Sequence, residues 1–153
     1  MLKSFKINGI KISTDTRPYI IAELSANHNG SIERAKKTIL EAKKSNVSAV
    51  KIQTYSPDTM TIRSQKSDFL IKKGLWKGRT LYDLYSEAYT PYEWHKELFE
   101  YAKKIGVTIF SSPFDESAVD LLESLDPPAY KISSFELIDL PLIEYIAKKK
   151  KPI

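Results

Sequence analysis

Two lysines stand where a lysine is costly. Lys51 lies within Ala49-Val50-Lys51-Ile52-Gln53-Thr54 and Lys131 within Ala129-Tyr130-Lys131-Ile132-Ser133-Ser134, both otherwise strand-like runs. An ammonium buried in an apolar strand must be neutralised by an anion or a carboxylate. Side chains alternate along a strand, so Lys51 shares a face with Gln53, and Lys131 with Ser133. Two such cations near strand ends describe a pocket for a phosphate or carboxylate, with Ser111, Ser112 and Ser134 as hydroxyl donors. The competing reading pairs each lysine with an internal carboxylate, Glu23 or Glu136.

Glu23 directly follows the apolar run Tyr19-Ile20-Ile21-Ala22, and Asn27-His28-Asn29-Gly30 fills the loop beyond it. A carboxylate at the mouth of a strand can act as acid or base or hold a sugar hydroxyl, and can equally serve as a cap or an ion-pair partner. His28, one of 2 histidines, sits between asparagines, which suits a hydrogen-bonded loop histidine better than a metal ligand. Gly74-Leu75-Trp76-Lys77-Gly78-Arg79 combines glycine hinges, an aromatic and two cations, the composition of a mobile substrate-covering loop or of an exposed partner-binding strip. Tyr82, Tyr85 and Tyr89 recur at helical spacing, a packing pattern. Trp94 reads as core and His95 as surface.

The elements that must position these groups alternate. Phe5-Lys6-Ile7 and Ile10-Lys11-Ile12 flank Asn8-Gly9, a hairpin signal. Tyr19–Ala22 reads as a strand covered on both faces. Ser31 caps a helix carrying Ile32, Ala35, Ile39 and Ala42 on one stripe. Ala49–Thr54 is the second strand, followed by a long irregular stretch, Ser56–Ala88. Thr90-Pro91-Tyr92-Glu93 is a capping-box pattern opening a helix that Gly106 ends. Val107–Phe110 is the third strand, a helix with Ala118, Val119, Leu122 and Leu125 follows, and Pro127-Pro128 breaks it. Ala129–Ser134 predicts a fourth strand, Leu142, Ile143 and Ile146 a last helix, and Lys151-Pro152-Ile153 the start of a fifth strand. The run Lys148–Lys151 reads as a solvated helix C-terminus.

Four β/α units with buried parallel strands predict an α/β fold, doubly wound or a (β/α)8 TIM barrel. A barrel needs about 250 residues, so 153 hold about half of one. No glycine-rich phosphate turn of the dinucleotide-binding or P-loop type is present, and the polar residues gather at the C-terminal ends of strands, as in barrel enzymes. With no cysteine, disulfides, thiolate metal sites and a cysteine nucleophile are excluded. No apolar run reaches a membrane span, and Met1–Lys6 lacks the apolar core of a signal peptide, so no membrane partner and a cytoplasmic location are expected. A net charge of +5, concentrated in the lysine run, does not argue for a nucleic-acid partner.

Ile20-Ile21-Ala22-Glu23-Leu24-Ser25-Ala26-Asn27-His28-Asn29-Gly30-Ser31 resembles the opening motif of the sialic acid synthase family. Lys51-Ile52-Gln53-Thr54, Ser111-Ser112-Pro113-Phe114 and Tyr130-Lys131-Ile132-Ser133-Ser134-Phe135-Glu136 are similar to its next three strand ends, in order. The resemblance implies a TIM-barrel transferase that condenses phosphoenolpyruvate with an open-chain amino sugar to a nonulosonic acid and phosphate. Gly74–Tyr82 and Thr90-Pro91 resemble the branch acting on a 2,4-diacetamido-2,4,6-trideoxy hexose, the N-acetylneuraminate and legionaminate branches being the alternative. A non-catalytic anion or nucleic-acid binding module is the alternative of a different class. The family's phosphoenolpyruvate positions carry over to Lys51, Gln53, Ser112, Lys131 and Ser134, its acidic catalytic position to Glu23, and substrate positions to Asn27, His28 and Glu136. The resemblance also implies a divalent metal such as Mn2+ or Mg2+, held by histidines of the second half-barrel, and a homodimer completed by a C-terminal antifreeze-like domain. Residues 1–153 match only the N-terminal part of that barrel domain, so a cut sheet edge, self-association and no synthase activity are expected of the piece alone.

Overall fold

The computed structural model describes residues 4–153, and the Met1–Lys3 part of the N-terminal segment read above lies outside them. Asn8 and Gly9 both take positive φ, 47° and 80°, the backbone that a two-residue hairpin turn of the I′ type requires. They join β1 (Ser4–Ile7) to β2 (Ile10–Ser13), with Phe5 opposite Ile12. β3 (Ile21–Glu23) leads to α1 (Ile32–Lys44), whose first turn is capped by the Ser31 hydroxyl accepting from the Arg34 amide. β4 (Ala49–Thr54) is followed by α2 (Pro57–Met60), α3 (Leu81–Ala88) and α4 (Tyr92–Ile105), which ends at Gly106 in the left-handed conformation, φ 71°. β5 (Thr108–Pro113), α5 (Glu116–Glu123) and α6 (Leu140–Ala147) complete the regular elements, with single 3-10 turns at Ser67–Phe69 and Phe135–Ile138.

β3, β4 and β5 form one parallel sheet in that order, with Glu23 level with Lys51 and Gln53 level with Ser112. Its two faces have different fates. Val50, Ile52 and Ile109 pack with Ala35, Ile39, Leu98, Val119, Leu122 and Ile146 on the helix side. Each fully buried Ile or Leu is worth about 1.5–3 kcal/mol, so this layer supplies most of the drive to fold. Ala49 and Phe110 point the other way and meet Ile7 and Ala129, with Ile12 and Tyr19 against them. The β1–β2 hairpin therefore plugs the N-terminal end of the second face. Beyond the plug, the same alternation brings Lys51 and Gln53 onto that face.

Several expectations need correction. Tyr19–Ala22 is not covered on both faces: Ile20 and Ile21 are exposed, because among the described residues β3 is an edge strand with β4 alone beside it. Ala129–Ser134 is not a strand but a single parallel bridge from Tyr130 to Ser111, with the Lys131 amide donating to the Ser111 carbonyl at 3.2 Å. Lys151–Ile153 forms no strand either, although the Pro152 carbonyl accepts from the Tyr130 amide at 2.9 Å. The four expected β/α units are thus three paired strands and one bridged segment. Ser56–Ala88 is irregular only in its middle, residues 61–80, which hold one 3-10 turn; capping boxes at Ser56/Thr59 and Thr80/Asp83 open α2 and α3 at its two ends. The box expected at Thr90 is absent, because Pro91 is the N-cap and leaves Thr90 one residue outside the helix. The lysine run is no simple solvated terminus: Lys149 pairs with Asp120, and Lys151 with Glu123 and Asp126.

Candidate functional site

The face beyond the hairpin plug is polar and positively charged. Lys51 is 5% exposed, and its Nζ lies 3.4 Å from the Glu23 carboxylate, which is itself largely in water. Burial pushes the Lys51 ammonium below the usual lysine range; Glu23 opposes that, and the neighbouring Lys131 charge adds to it. A long contact to an exposed carboxylate neutralises a buried cation poorly. The ion-pair reading of Lys51 is met by Glu23, and the Lys131 charge lies close enough to lower the Lys51 proton affinity.

One layer toward the strand ends, Ser25 donates to the Gln53 carboxamide oxygen at 3.4 Å. Ser112, level with Gln53, is buried, and its hydroxyl has no partner. One oxygen of Glu136 is likewise buried and unpartnered. Orphaned buried polar atoms are uncommon in native proteins, and a cavity that neither of these residues lines opens beside Gln53. The cavity, about 190 Å³, is lined by Ser25, Gln53, Tyr55, Tyr85, Phe114 and Ser133. Burial pushes the Tyr55 hydroxyl up to about 12, with Tyr85 adding to it, so Tyr55 presents a neutral O–H. Met60, Leu84 and Ala88, from the α2–α3 insertion, close one wall.

The remaining expected residues are spread around this space. Ser134 is exposed and starts the 3-10 turn at Phe135, and Asn27 is exposed with its amide bound to the Leu24 carbonyl at 2.9 Å. His28 is wholly buried, its ring edge-on to Trp94 at 5.4 Å and its Nδ1 accepting from the Gly30 amide. Burial lowers its proton affinity, opposed by the Ala88 carbonyl. Ser111 corrects the donor set: it lies on the helix side of β5, bonded to Thr54 at 2.6 Å, and is no pocket donor. Gly74–Arg79 does not line the cavity; it is a tight turn, closed by Gly78 and Ile71 amides donating to the Ile71 and Arg79 carbonyls, with Leu75 fully exposed.

His95 was expected on the surface and is completely buried. Its Nε2 lies 2.8 Å from the Thr54 hydroxyl and its Nδ1 3.0 Å from the Pro91 carbonyl. A signal existed: His95, Leu98, Phe99 and Ala102 are the buried positions of α4, an i, i+3, i+4, i+7 stripe.

The NeuB family model matches residues 38–153, which include Lys51, Gln53, Ser112, Lys131 and Ser134. The chain belongs to the NeuB family. It is 55% identical to a pseudaminic acid synthase of Campylobacter jejuni over 92% of this chain and 41% of that protein. It is 52% identical to a pseudaminic acid synthase of Helicobacter pylori over 89% of this chain and 40% of that protein. Among solved structures, the spore coat polysaccharide biosynthesis protein SpsE of Bacillus subtilis superposes on 97% of this chain and 38% of its own, with TM-score 0.74 and 31% identity. The chain thus spans about two fifths of the length of the curated relatives it matches. The NeuB match begins inside α1, so Glu23, Asn27 and His28 lie outside it.

Proposed function

We propose that this chain forms the phosphoenolpyruvate-binding part of a pseudaminic acid synthase, a (β/α)8-barrel transferase of which residues 1–153 supply the N-terminal units. The observation that carries this is the buried Lys51, incompletely neutralised by Glu23 and under the influence of the Lys131 charge, on the face that also carries the orphaned Ser112 hydroxyl. Phosphoenolpyruvate offers two anionic groups on a three-carbon frame, matching two cations and a ring of donors. Lys51 and Lys131 hold its charge, Gln53, Ser112 and Ser134 donate to its oxygens, and Glu23 stands where the sugar aldehyde approaches. Asn27, His28 and Glu136 belong to the sugar side; on the geometry above, His28 acts there by holding its loop against Trp94. In the reaction, C3 of the enol attacks the aldehyde carbon and a carbon–carbon bond forms. Water adds to the resulting cation at C2 and one of its protons passes to the alkoxide left on the former aldehyde oxygen; the C2 adduct then collapses to the ketone, and phosphate departs with the second proton and cleavage of the C–O bond.

Among the described residues, no group of three or more His, Cys, Asp or Glu side chains could hold a metal ion. The resemblance puts the histidines that would hold the divalent cation in the second half-barrel, and the roles given to Lys51, Gln53, Ser112, Lys131 and Ser134 do not depend on it. Among the described residues, no helix is long and apolar enough to cross a membrane. Cytoplasmic residence and a homodimeric working unit belong to the same proposal.

The test is a chimera in which these residues replace the matching segment of the Campylobacter jejuni synthase. Phosphate release from phosphoenolpyruvate is followed across a panel of hexoses. Turnover with the 2,4-diacetamido-2,4,6-trideoxy sugar supports the proposal, and turnover confined to N-acetylmannosamine or a legionaminate precursor moves it to the alternative branch. A binding module instead predicts steeply salt-dependent association with nucleic acid that is indifferent to Lys51 and Lys131.

A further inference from the structure

The Thr54, His95 and Ser111 side chains form a hydrogen-bonded chain that is wholly buried on the helix side of the sheet. Its direction follows from one fixed point. The Pro91 carbonyl can only accept, so the His95 Nδ1, 3.0 Å away, carries the proton. In a neutral imidazole Nε2 is then an acceptor, so the Thr54 hydroxyl donates to it at 2.8 Å. Thr54 oxygen in turn accepts from the Ser111 hydroxyl at 2.6 Å. Burial keeps the ring neutral, and Tyr92 covers it edge-on at 5.8 Å.

The chain is placed behind the anion pocket. Thr54 follows Gln53 on β4 and Ser111 precedes Ser112 on β5; because side chains alternate, anchoring Thr54 and Ser111 to the helix side aims Gln53 and Ser112 at the pocket side. The Ser111 carbonyl also accepts the Lys131 amide at 3.2 Å, the bond that sets where the bridged segment carrying Lys131 lies. Three pocket residues are therefore each one residue or one backbone hydrogen bond from the relay. The start of α4 is in this way tied to two strand ends by directional bonds, in addition to the apolar packing of Leu98, Phe99 and Ala102 further along the helix.

We propose that His95 is a positioning residue for the anion pocket, acting through Thr54 and Ser111 on Gln53, Ser112 and Lys131. The identity of the anion rests on the function proposed above; the geometry of the relay does not.

The experiment uses the 15N-labelled chain. Imidazole 15N shifts at pH 7 report the His95 tautomer, and calorimetric titration with phosphoenolpyruvate and thermal unfolding are measured for the unaltered chain, His95→Gln and His95→Asn. Glutamine places its carbonyl oxygen near the Nε2 position and preserves acceptance from Thr54. Asparagine retains the donor to Pro91 but falls short of Thr54. The expected result is the Nδ1–H tautomer, His95→Gln within about threefold of the unaltered affinity, and His95→Asn weaker by about tenfold or more, whatever the order of their melting temperatures. An Nε2–H tautomer or an imidazolium overturns the relay. Affinities that are equal in the two variants, or weaker in His95→Gln than in His95→Asn, overturn the positioning role. Absence of phosphoenolpyruvate binding by the unaltered chain overturns the functional reading and the positioning role with it, and the tautomer then reports separately on the relay.

Discussion

Replacing Lys51 by methionine separates a ligand-binding lysine from a structural one, because the two roles predict opposite signs for stability and affinity. Lys51 is 5% exposed, and its single ion-pair contact is 3.4 Å long to a carboxylate that remains in water. Desolvation is the larger influence on its ammonium, and Lys131 adds repulsion. Methionine has the same reach without the charge and leaves Glu23 free to solvate. Replacing a poorly compensated buried charge in this way is neutral to stabilising, by about 1 kcal/mol or more. Binding moves the other way. A charged hydrogen bond to a carboxylate or phosphate is worth about 1.5–3 kcal/mol, so Lys51→Met weakens phosphoenolpyruvate by roughly 10–150-fold. Thermal unfolding and calorimetric titration on the same preparations measure both. A variant destabilised by more than about 2 kcal/mol with unchanged affinity would make Lys51 the structural half of an ion pair and not a ligand-binding lysine.

The other expectations are smaller and separable. Ser112→Ala removes an orphaned buried hydroxyl, so it leaves stability within about 1 kcal/mol while lowering phosphoenolpyruvate affinity about fivefold or more, read by the same titration. His28 and His95 both have their proton affinity lowered by burial. The unfolded chain therefore binds more protons below its histidine pKa of about 6.5, and stability present above that pH falls as pH drops through the folded values. Denaturant titrations from pH 8 to 5 should show this acid limb, and His95→Gln should make it shallower; an unchanged slope would count against a neutral buried His95. Thr80→Ala removes the side-chain half of the α3 capping box and should cost about 1 kcal/mol in denaturant unfolding.

What could be read from the sequence was local or costly. Asn8-Gly9, Ser31 and Gly106 act through their own backbone or their nearest turn, and each sits where its chemistry demands. Lys51 was legible because an ammonium in an apolar strand demands compensation wherever the strand goes. The misreadings concern partners remote in sequence. Whether Ala129–Ser134 becomes a strand depends on β5 and Pro152 reaching it along its length, and they meet it at one bond each. The Thr90 box failed by one residue, because the extended backbone of Pro91 (ψ 136°) starts the helix later than the pattern implies. Ser111 and Ser112 look equivalent in sequence, yet alternation sends one to the relay and the other to the pocket. His95, read as a surface residue, is buried, and its spacing from Leu98, Phe99 and Ala102 puts it on the buried stripe.

The central claim is that the face between Lys51 and Lys131 receives phosphoenolpyruvate. A crystal structure of this chain soaked with phosphoenolpyruvate tests it most directly. The ligand is expected beyond the hairpin plug, with its two anionic groups shared between Lys51 and Lys131 and the Ser112 hydroxyl donating to one of its oxygens. Phosphoenolpyruvate found on the helix side of the sheet, or bound with Ser112 still unpartnered and Lys51 still held by Glu23 alone, would contradict it.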